Sequence, residues 1–282
     1  MKTLIKYYFA ACFSLAFLSC TSFLEEDNKS NITADNYFIT ANGYESLVSA
    51  AYSTLRDVWR ADPWLFCLGV DIYTRGESEL INGSYGNRDV YSRELNEYGD
   101  LDASNQFVTD FYAGVYKAVQ TCNTAISRSA SASGLTDSRK ILLVSEVRFI
   151  RAYYYYLLAE QFGGVPIVQE EINTAVTHFD RASEEDVYKF IVNELEAVVP
   201  HLPLSSTQFG RVTQGAAKNL LALVHLTRGY KSYASSNDFT LAASLADEVI
   251  NSGQYELLPT FKEVFTPGNE NNCLFHSKSI PF

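Results

Sequence analysis

Between Trp59 and Tyr98 the chain places six of its 19 tyrosines and two tryptophans, about twice a uniform share, among Asp71, Arg75, Glu77, Asn82, Asn87, Arg88 and Asp89. That mixture suits one kind of recognition. A flat ring covers the apolar C–H face of a pyranose, while carboxylates, amides and guanidinium groups make paired hydrogen bonds to neighbouring hydroxyls. Trp64, Asp71, Tyr73, Arg75, Asn82 and Tyr85 are therefore the candidate ligand-binding residues. The competing reading is that these rings pack the segment onto helices. It is strongest for Trp59, which stands at helical spacing from Leu55 and Tyr52.

Catalysis finds less to work with. A glycoside hydrolase needs two carboxylates about 5 to 9.5 Å apart, which Asp71, Glu77, Glu79 or Asp89 could supply, but an acidic segment offers such pairs by chance. Hydrolysis is therefore a minor alternative. His178, His201, His225 and His276 are scattered, with no HExxH or i, i+4 pair to hold zinc. Gly83-Ser84-Tyr85-Gly86 is not a nucleophile elbow, and no glycine-rich loop is set to cradle phosphate. No catalytic set, metal site or cofactor motif is predicted. A net charge of -11 argues against nucleic acid, whose phosphates it would repel.

The elements that must position these residues read as helices. A first helix spans about 43–60, with Leu47, Ala50, Ala51, Leu55 and Val58 on its buried side. From 61 to 104 no helical period is sustained, and Gly69, Gly76, Gly83, Gly86 and Gly99 punctuate a long irregular insertion. A second helix covers 104–128, carrying Phe107, Phe111, Val115, Ala118 and Cys122 at threes and fours. Thr136 or Asp137 then caps a long helix whose core stripe is Leu143, Val147, Ile150, Tyr154, Leu157 and Leu158. Beside that stripe stand Arg148, Arg151 and Tyr155, and neither arginine has a carboxylate three or four residues away, so their donors must find partners elsewhere. Gly163 and Gly164 permit a left-handed stop, and Pro166 forbids continuation.

Beyond a linker over 169–181, Ser183-Glu184-Glu185-Asp186 is a capping-box pattern opening a helix with Val187, Phe190, Ile191, Leu195 and Val198. Thr213 starts another, with Ala216, Leu220 and Leu223 or Val224 inward. A further helix runs from about Phe239 to Asn251 with Leu241, Leu245, Ala246, Val249 and Ile250. Paired helices with small residues at the crossings predict a mainly α fold: a superhelix of tetratricopeptide-like αα-hairpins carrying a long irregular loop insertion.

The N-terminus reads as an address. Lys2 and Lys6 precede an uncharged apolar run, Tyr7 to Leu18, too short to span a bilayer, and Phe17-Leu18-Ser19-Cys20 resembles a bacterial lipobox. Residues 1–19 would then be a signal peptide, with Cys20 the lipid attachment, 20–42 a tether and lead-in, and 43–282 the helical-repeat domain. An ordinary secretory signal, leaving Cys20 a free thiol, is the alternative. Several acyl chains on Cys20 would anchor the chain stably to a membrane. Cys67, Cys122 and Cys273 show no CxxC spacing, and the sequence selects no disulfide among them.

The run Arg148-Phe149-Ile150-Arg151-Ala152-Tyr153-Tyr154-Tyr155-Tyr156-Leu157, followed by Phe162-Gly163-Gly164-Val165-Pro166, resembles the signature helix of the SusD/RagB family of outer-membrane nutrient-binding lipoproteins. Cys20 before Phe23-Leu24-Glu25, then Glu185-Asp186-Val187-Tyr188, Gly215-Ala216-Ala217 to Gly229-Tyr230, and Ala246-Asp247-Glu248-Val249-Ile250 with Gly253-Gln254-Tyr255 follow in the same order. The resemblance implies a solute-binding partner of a SusC-type TonB-dependent transporter, held at the outer membrane by its lipid and delivering oligosaccharide. It implies a structural role for Arg148, Arg151, Gly163, Gly164 and Pro166, and it fixes no ligand contacts. A pure scaffold binding only a protein is the other reading of the repeats. The family runs to about twice this length, so the sequence reads as a truncated or partial product that leaves Phe261, Phe265, Leu274 and Phe275 without cover.

Overall fold

A computed structural model describes residues 33–60, 64–70, 73, 87–255 and 258–267, without the side chains of 57–60, 64 and 87–89. The chain divides into two units, Met1–Tyr37 and Phe38–Phe282. In the first, α1 (Ala34–Tyr37) is one turn in which Thr33 and Asn36 cap each other reciprocally, the Thr33 N–H donating to Asn36 Oδ1 at 2.8 Å.

Among its described residues the second unit is built of helices joined by irregular connections, as the periodicity predicts. Its elements are α2 (Ala41–Arg60), α3 (Trp64–Cys67), α4 (Asn87–Glu97), α5 (Gln106–Arg128), α6 (Asp137–Phe162), α7 (Glu184–Val198), α8 (Gln214–Gly229), α9 (Asp238–Asn251) and α10 (Phe261–Val264). Side-chain oxygens start four of the longer ones. Asn105 accepts from the Phe107 and Val108 N–H groups, Thr136 from Arg139, Ser183 from Asp186 and Thr213 from Ala216, each satisfying donors that a helix start leaves orphaned.

Successive helices pack as neighbours, α5 on α6, α6 on α7, α7 on α8 and α8 on α9, with α2 closing onto α5 and α6. One core runs through them, from Tyr44 and Val48 of α2 through Val115, Val119 and Cys122 to Leu143, Ile150 and Leu158, then Val187, Ile191, Leu195, Ala217 and Val224. Burying each such aliphatic side chain contributes about 1.5 to 3 kcal/mol. The buried tyrosines add a condition, because a phenol taken from water needs a partner. Tyr44 donates to Ala125 O at 2.9 Å, the Tyr154 and Thr54 hydroxyls hydrogen-bond each other at 2.7 Å, and Tyr188 donates to Glu160.

Three expectations need correction. The segment 61–104 is not without helix, because α3 and α4 lie in it. Asn87–Glu97 is polar almost throughout and buries only Ser92 and Leu95 among its described side chains, so it shows no apolar stripe to read. Asn105 ties it down, donating to Tyr91 O at 3.0 Å and Glu94 Oε2 at 2.8 Å. Ala50 is exposed, since the buried stripe of α2 is Tyr44, Leu47, Val48, Ala51 and Leu55. Ile250 is exposed as well, and α8 turns Val224 inward and Leu223 outward.

Candidate functional site

Two consecutive arginines of the α6 stripe converge on one carboxylate. Arg148 donates to Glu194 Oε1 at 2.6 Å and Arg151 to Glu194 Oε2 at 2.6 Å. Glu194 and Arg151 are both buried, and Arg151 also reaches Asn123 Oδ1 at 2.8 Å and Gln169 O at 3.2 Å. Its guanidinium carbon lies 5.5 Å from the centre of the Phe190 ring. The sequence sets Glu194 in the mixed run Asn193-Glu194-Leu195-Glu196, but its helical position is informative. It takes a place on the inner face of α7, between Ile191 and Val198, where an apolar residue belongs.

This node holds a strap. Gly163 ends α6 at φ +67°, its N–H bonded to Ala159 O at 2.9 Å. Gly164 passes so close to the chain's return that an added Cβ would sit 2.3 Å from Ala182 O. The ends of the strap meet where Ala182 N–H donates to Val165 O at 3.2 Å, and Arg181 bonds the Phe162 and Gly164 carbonyls. Along it, Tyr116 donates to Pro166 O at 2.7 Å, while the Tyr155 hydroxyl both accepts from Val168 N–H at 2.7 Å and donates to Val168 O at 3.0 Å. Asn123 donates to Val168 O and Glu170 O. Burial pushes the Tyr155 phenol up to about 12, so it remains a donor at physiological pH.

Between the strap and α5 lies a groove of about 530 Å³, walled by Tyr112, Ala113, Tyr116, Val119 and Gln120 on the helix and by Pro166, Val168, Ile172 and Phe179 on the strap. The Tyr112 and Tyr116 rings are 4.8 Å apart and make one aromatic wall, with Phe162 edge-on behind Tyr112 at 5.1 Å. Ile172 and Phe179 face it with more than a third of their surface exposed. Sequence reading passed over this wall. Its signal is Tyr112, Tyr116 and Gln120 at i, i+4 and i+8, a second face of α5 beside the buried stripe of Val115, Ala118 and Cys122.

Of the predicted ligand-binding residues, Asp71, Arg75, Asn82 and Tyr85 lie outside the described residues, as does the lipid-attachment candidate Cys20. The backbone of Trp64 opens α3, and Tyr73 is 60% exposed. Two further rings of the segment diverge. Tyr91 is half-buried and stands edge-on to Phe107 at 6.1 Å, as packing. Tyr98 is 61% exposed and held at φ +56°, an unusual backbone for a tyrosine, with its hydroxyl donating to Gly69 O at 3.0 Å. Phe261 and Phe265 are exposed, while Leu274 and Phe275 lie outside the described residues.

Among the described residues no group of acidic, histidine or cysteine side chains could hold a metal ion, and no helix is long and apolar enough to cross a membrane. His225 is buried with its Nδ1 at 2.8 Å from Asp238 Oδ1, which Arg228 also bonds at 2.6 Å; this cluster fastens α8 to α9.

A family profile described as "Starch-binding associating with outer membrane", the SusD-like class, matches residues 22–226. SusD-like protein P25 of Formosa agariphila is 23% identical over 96% of this chain and 50% of its own length. The starch-binding protein SusD of Bacteroides thetaiotaomicron is 29% identical over 49% of this chain and 24% of its own. Among solved structures, NanU of Bacteroides fragilis superposes with a TM-score of 0.71 at 22% identity, covering 88% of this chain and 49% of that one. The chain spans about half the length of the longest-matching curated relatives.

Proposed function

This chain belongs to the SusD-like family, and from that premise we propose that it is a glycan-binding lipoprotein that works with a SusC-type TonB-dependent transporter in oligosaccharide uptake. The observation that carries the reading is the family match over 22–226, in a family described by starch binding and outer-membrane association and not by a reaction. The helical stack supports it, because a rigid array of paired helices presents a broad fixed surface to a partner while loops between helices meet a ligand. In this reading Cys20 carries the lipid, residues 1–19 are removed, and the protein faces the cell exterior.

The glycan contacts proposed are Trp64, Asp71, Tyr73, Arg75, Asn82 and Tyr85, with Arg148, Arg151, Gly163, Gly164 and Pro166 as framework. Affinity electrophoresis tests the binding reading. The native chain should be retarded in gels containing starch or laminarin, and migration unchanged across a panel of polysaccharides sinks it. Radiolabelled palmitate incorporated into the native chain and absent from Cys20→Ala tests the anchor. Co-purification with a transporter encoded beside it tests the partnership.

A further inference from the structure

We propose that the groove between α5 and the 165–182 strap is a stacking subsite for a pyranose ring of an oligosaccharide, an inference that rests on the glycan-binding reading above. Its size lies within the range of small-ligand sites, roughly 300 to 1,000 Å³. Its wall is aromatic on one side, where the Tyr112 and Tyr116 rings lie one turn apart and 46° from coplanar so that a sugar stacks on one ring against the edge of the other, and apolar on the other side, where Ile172 and Phe179 remain partly in water.

The groove is preformed. Tyr116 is fixed by its bond to Pro166 O, and the strap is pinned at Val168 by Tyr155 and Asn123. A ring entering it therefore meets a backbone wall that needs no reordering at Pro166 and Val168, which lowers the cost of binding. One polar group is left free at its edge. The Gln120 side-chain amide, in line with Tyr112 and Tyr116, has no hydrogen-bond partner among the described residues, and it offers both a donor and an acceptor to a sugar hydroxyl.

The same composition limits what the subsite can do. A wall that is nearly all apolar contacts the C–H face of a sugar, leaves most hydroxyls in solvent, and reads no particular hydroxyl pattern. The subsite holds a ring by stacking, adds to binding made elsewhere on the protein, and tolerates different linkages. An apolar segment of a partner protein could meet the same walls. Its seat there would leave glycan binding indifferent to the groove.

The test is affinity electrophoresis over graded starch or laminarin concentrations with native protein and three variants: Phe179→Ala, Gln120→Ala and Ala113→Arg. All three positions are away from the fully buried core, and Ala113→Arg fills the groove by adding atoms at an exposed position instead of removing packing. Unchanged thermal melting confirms that each folds. The expected result is a dissociation constant raised about two- to tenfold for Phe179→Ala and Ala113→Arg, the value of one aromatic contact, with a smaller rise for Gln120→Ala. If the native chain is retarded and the folded variants are retarded equally, the groove is not a subsite and the glycan-binding reading stands. If the native chain is retarded by no polysaccharide, both fall.

Discussion

Helix α6 and the segment from 61 to 104 each carry four tyrosines, and the buried rings of the helix contrast with the two exposed rings described in the segment. In α6, Tyr154, Tyr155 and Tyr156 are buried, and their hydroxyls bond Thr54, the Val168 backbone and Thr227. In the segment, Tyr73 and Tyr98 keep about three fifths of their surface in water. Burial of a phenol obliges the fold to supply a partner, so the α6 tyrosines lock helices and strap together. An exposed ring owes the fold little. It is free to be covered by something else.

The sharpest way to break the locked region is at Glu194. Glu194→Ala leaves Arg148 and the buried Arg151 without their shared carboxylate, and an uncompensated buried charge costs about 3 to 5 kcal/mol. Urea unfolding should show the midpoint falling accordingly, and a loss below about 1 kcal/mol would mean the pair is dispensable. Next comes Gly164→Ala, whose Cβ must displace the backbone at Ala182. A cost of about 2 kcal/mol is expected, together with faster amide exchange at Ala182 as the strap lifts from Val165. Unchanged exchange there would show that the strap is held without that closure.

Much of the locked region was legible in the sequence. The two arginines without neighbours on their own helix signalled a partner elsewhere, and the Gly163-Gly164-Pro166 stop announced a sharp exit from α6. Glu194 and Asn123 were not legible, because a single polar residue on an apolar face shows where a partner is needed without saying which helix supplies it. Helix α4 was missed because its stability comes from two hydrogen bonds of Asn105 and from burial of Leu95, and an element held at its end shows no periodicity. The groove escaped for a related reason. Half of its wall is irregular strap, placed opposite α5 only by tertiary bonds.

Two buried carboxylates sharpen the contrast within the helical framework through pH. Burial opposes ionisation of Asp238, but hydrogen bonds from Arg228, His225 and the Ser235 N–H outweigh it and hold the carboxyl down, from the ordinary 3.8 to about 2. A depressed folded value contributes stability that is present above the unfolded value and lost as pH falls through the folded one. Asp238 should therefore lose about 2 kcal/mol between about pH 4 and pH 2, and Asp238→Asn should flatten that part of the stability curve. Glu146 has the opposite sign. Burial raises it despite Arg211 at 2.6 Å and Tyr52, so its share of stability grows as pH falls through its raised folded value. Glu146→Gln should thus steepen the acid loss, measured by urea unfolding at successive pH values. An identical acid slope in all three proteins would assign the pH dependence elsewhere.

The smallest stability effect belongs to the exposed rings, and it is the one that bears on function. Tyr73→Ser removes a ring that is 60% exposed and should change unfolding free energy by no more than about 0.5 kcal/mol. If the ring serves only to cover the segment, glycan retardation will be unchanged along with stability. If it lies in the glycan site, retardation should weaken about two- to tenfold while the unfolding midpoint stays put. Tyr44→Phe is the matched control from the helical framework away from the strap, since it keeps the buried ring but removes the bond to Ala125 O, at a cost of about 1 kcal/mol. A ring whose loss moves binding without stability, set against a hydroxyl whose loss moves stability, would separate recognition from framework. The reverse pattern would leave Tyr73 as cover for its own segment.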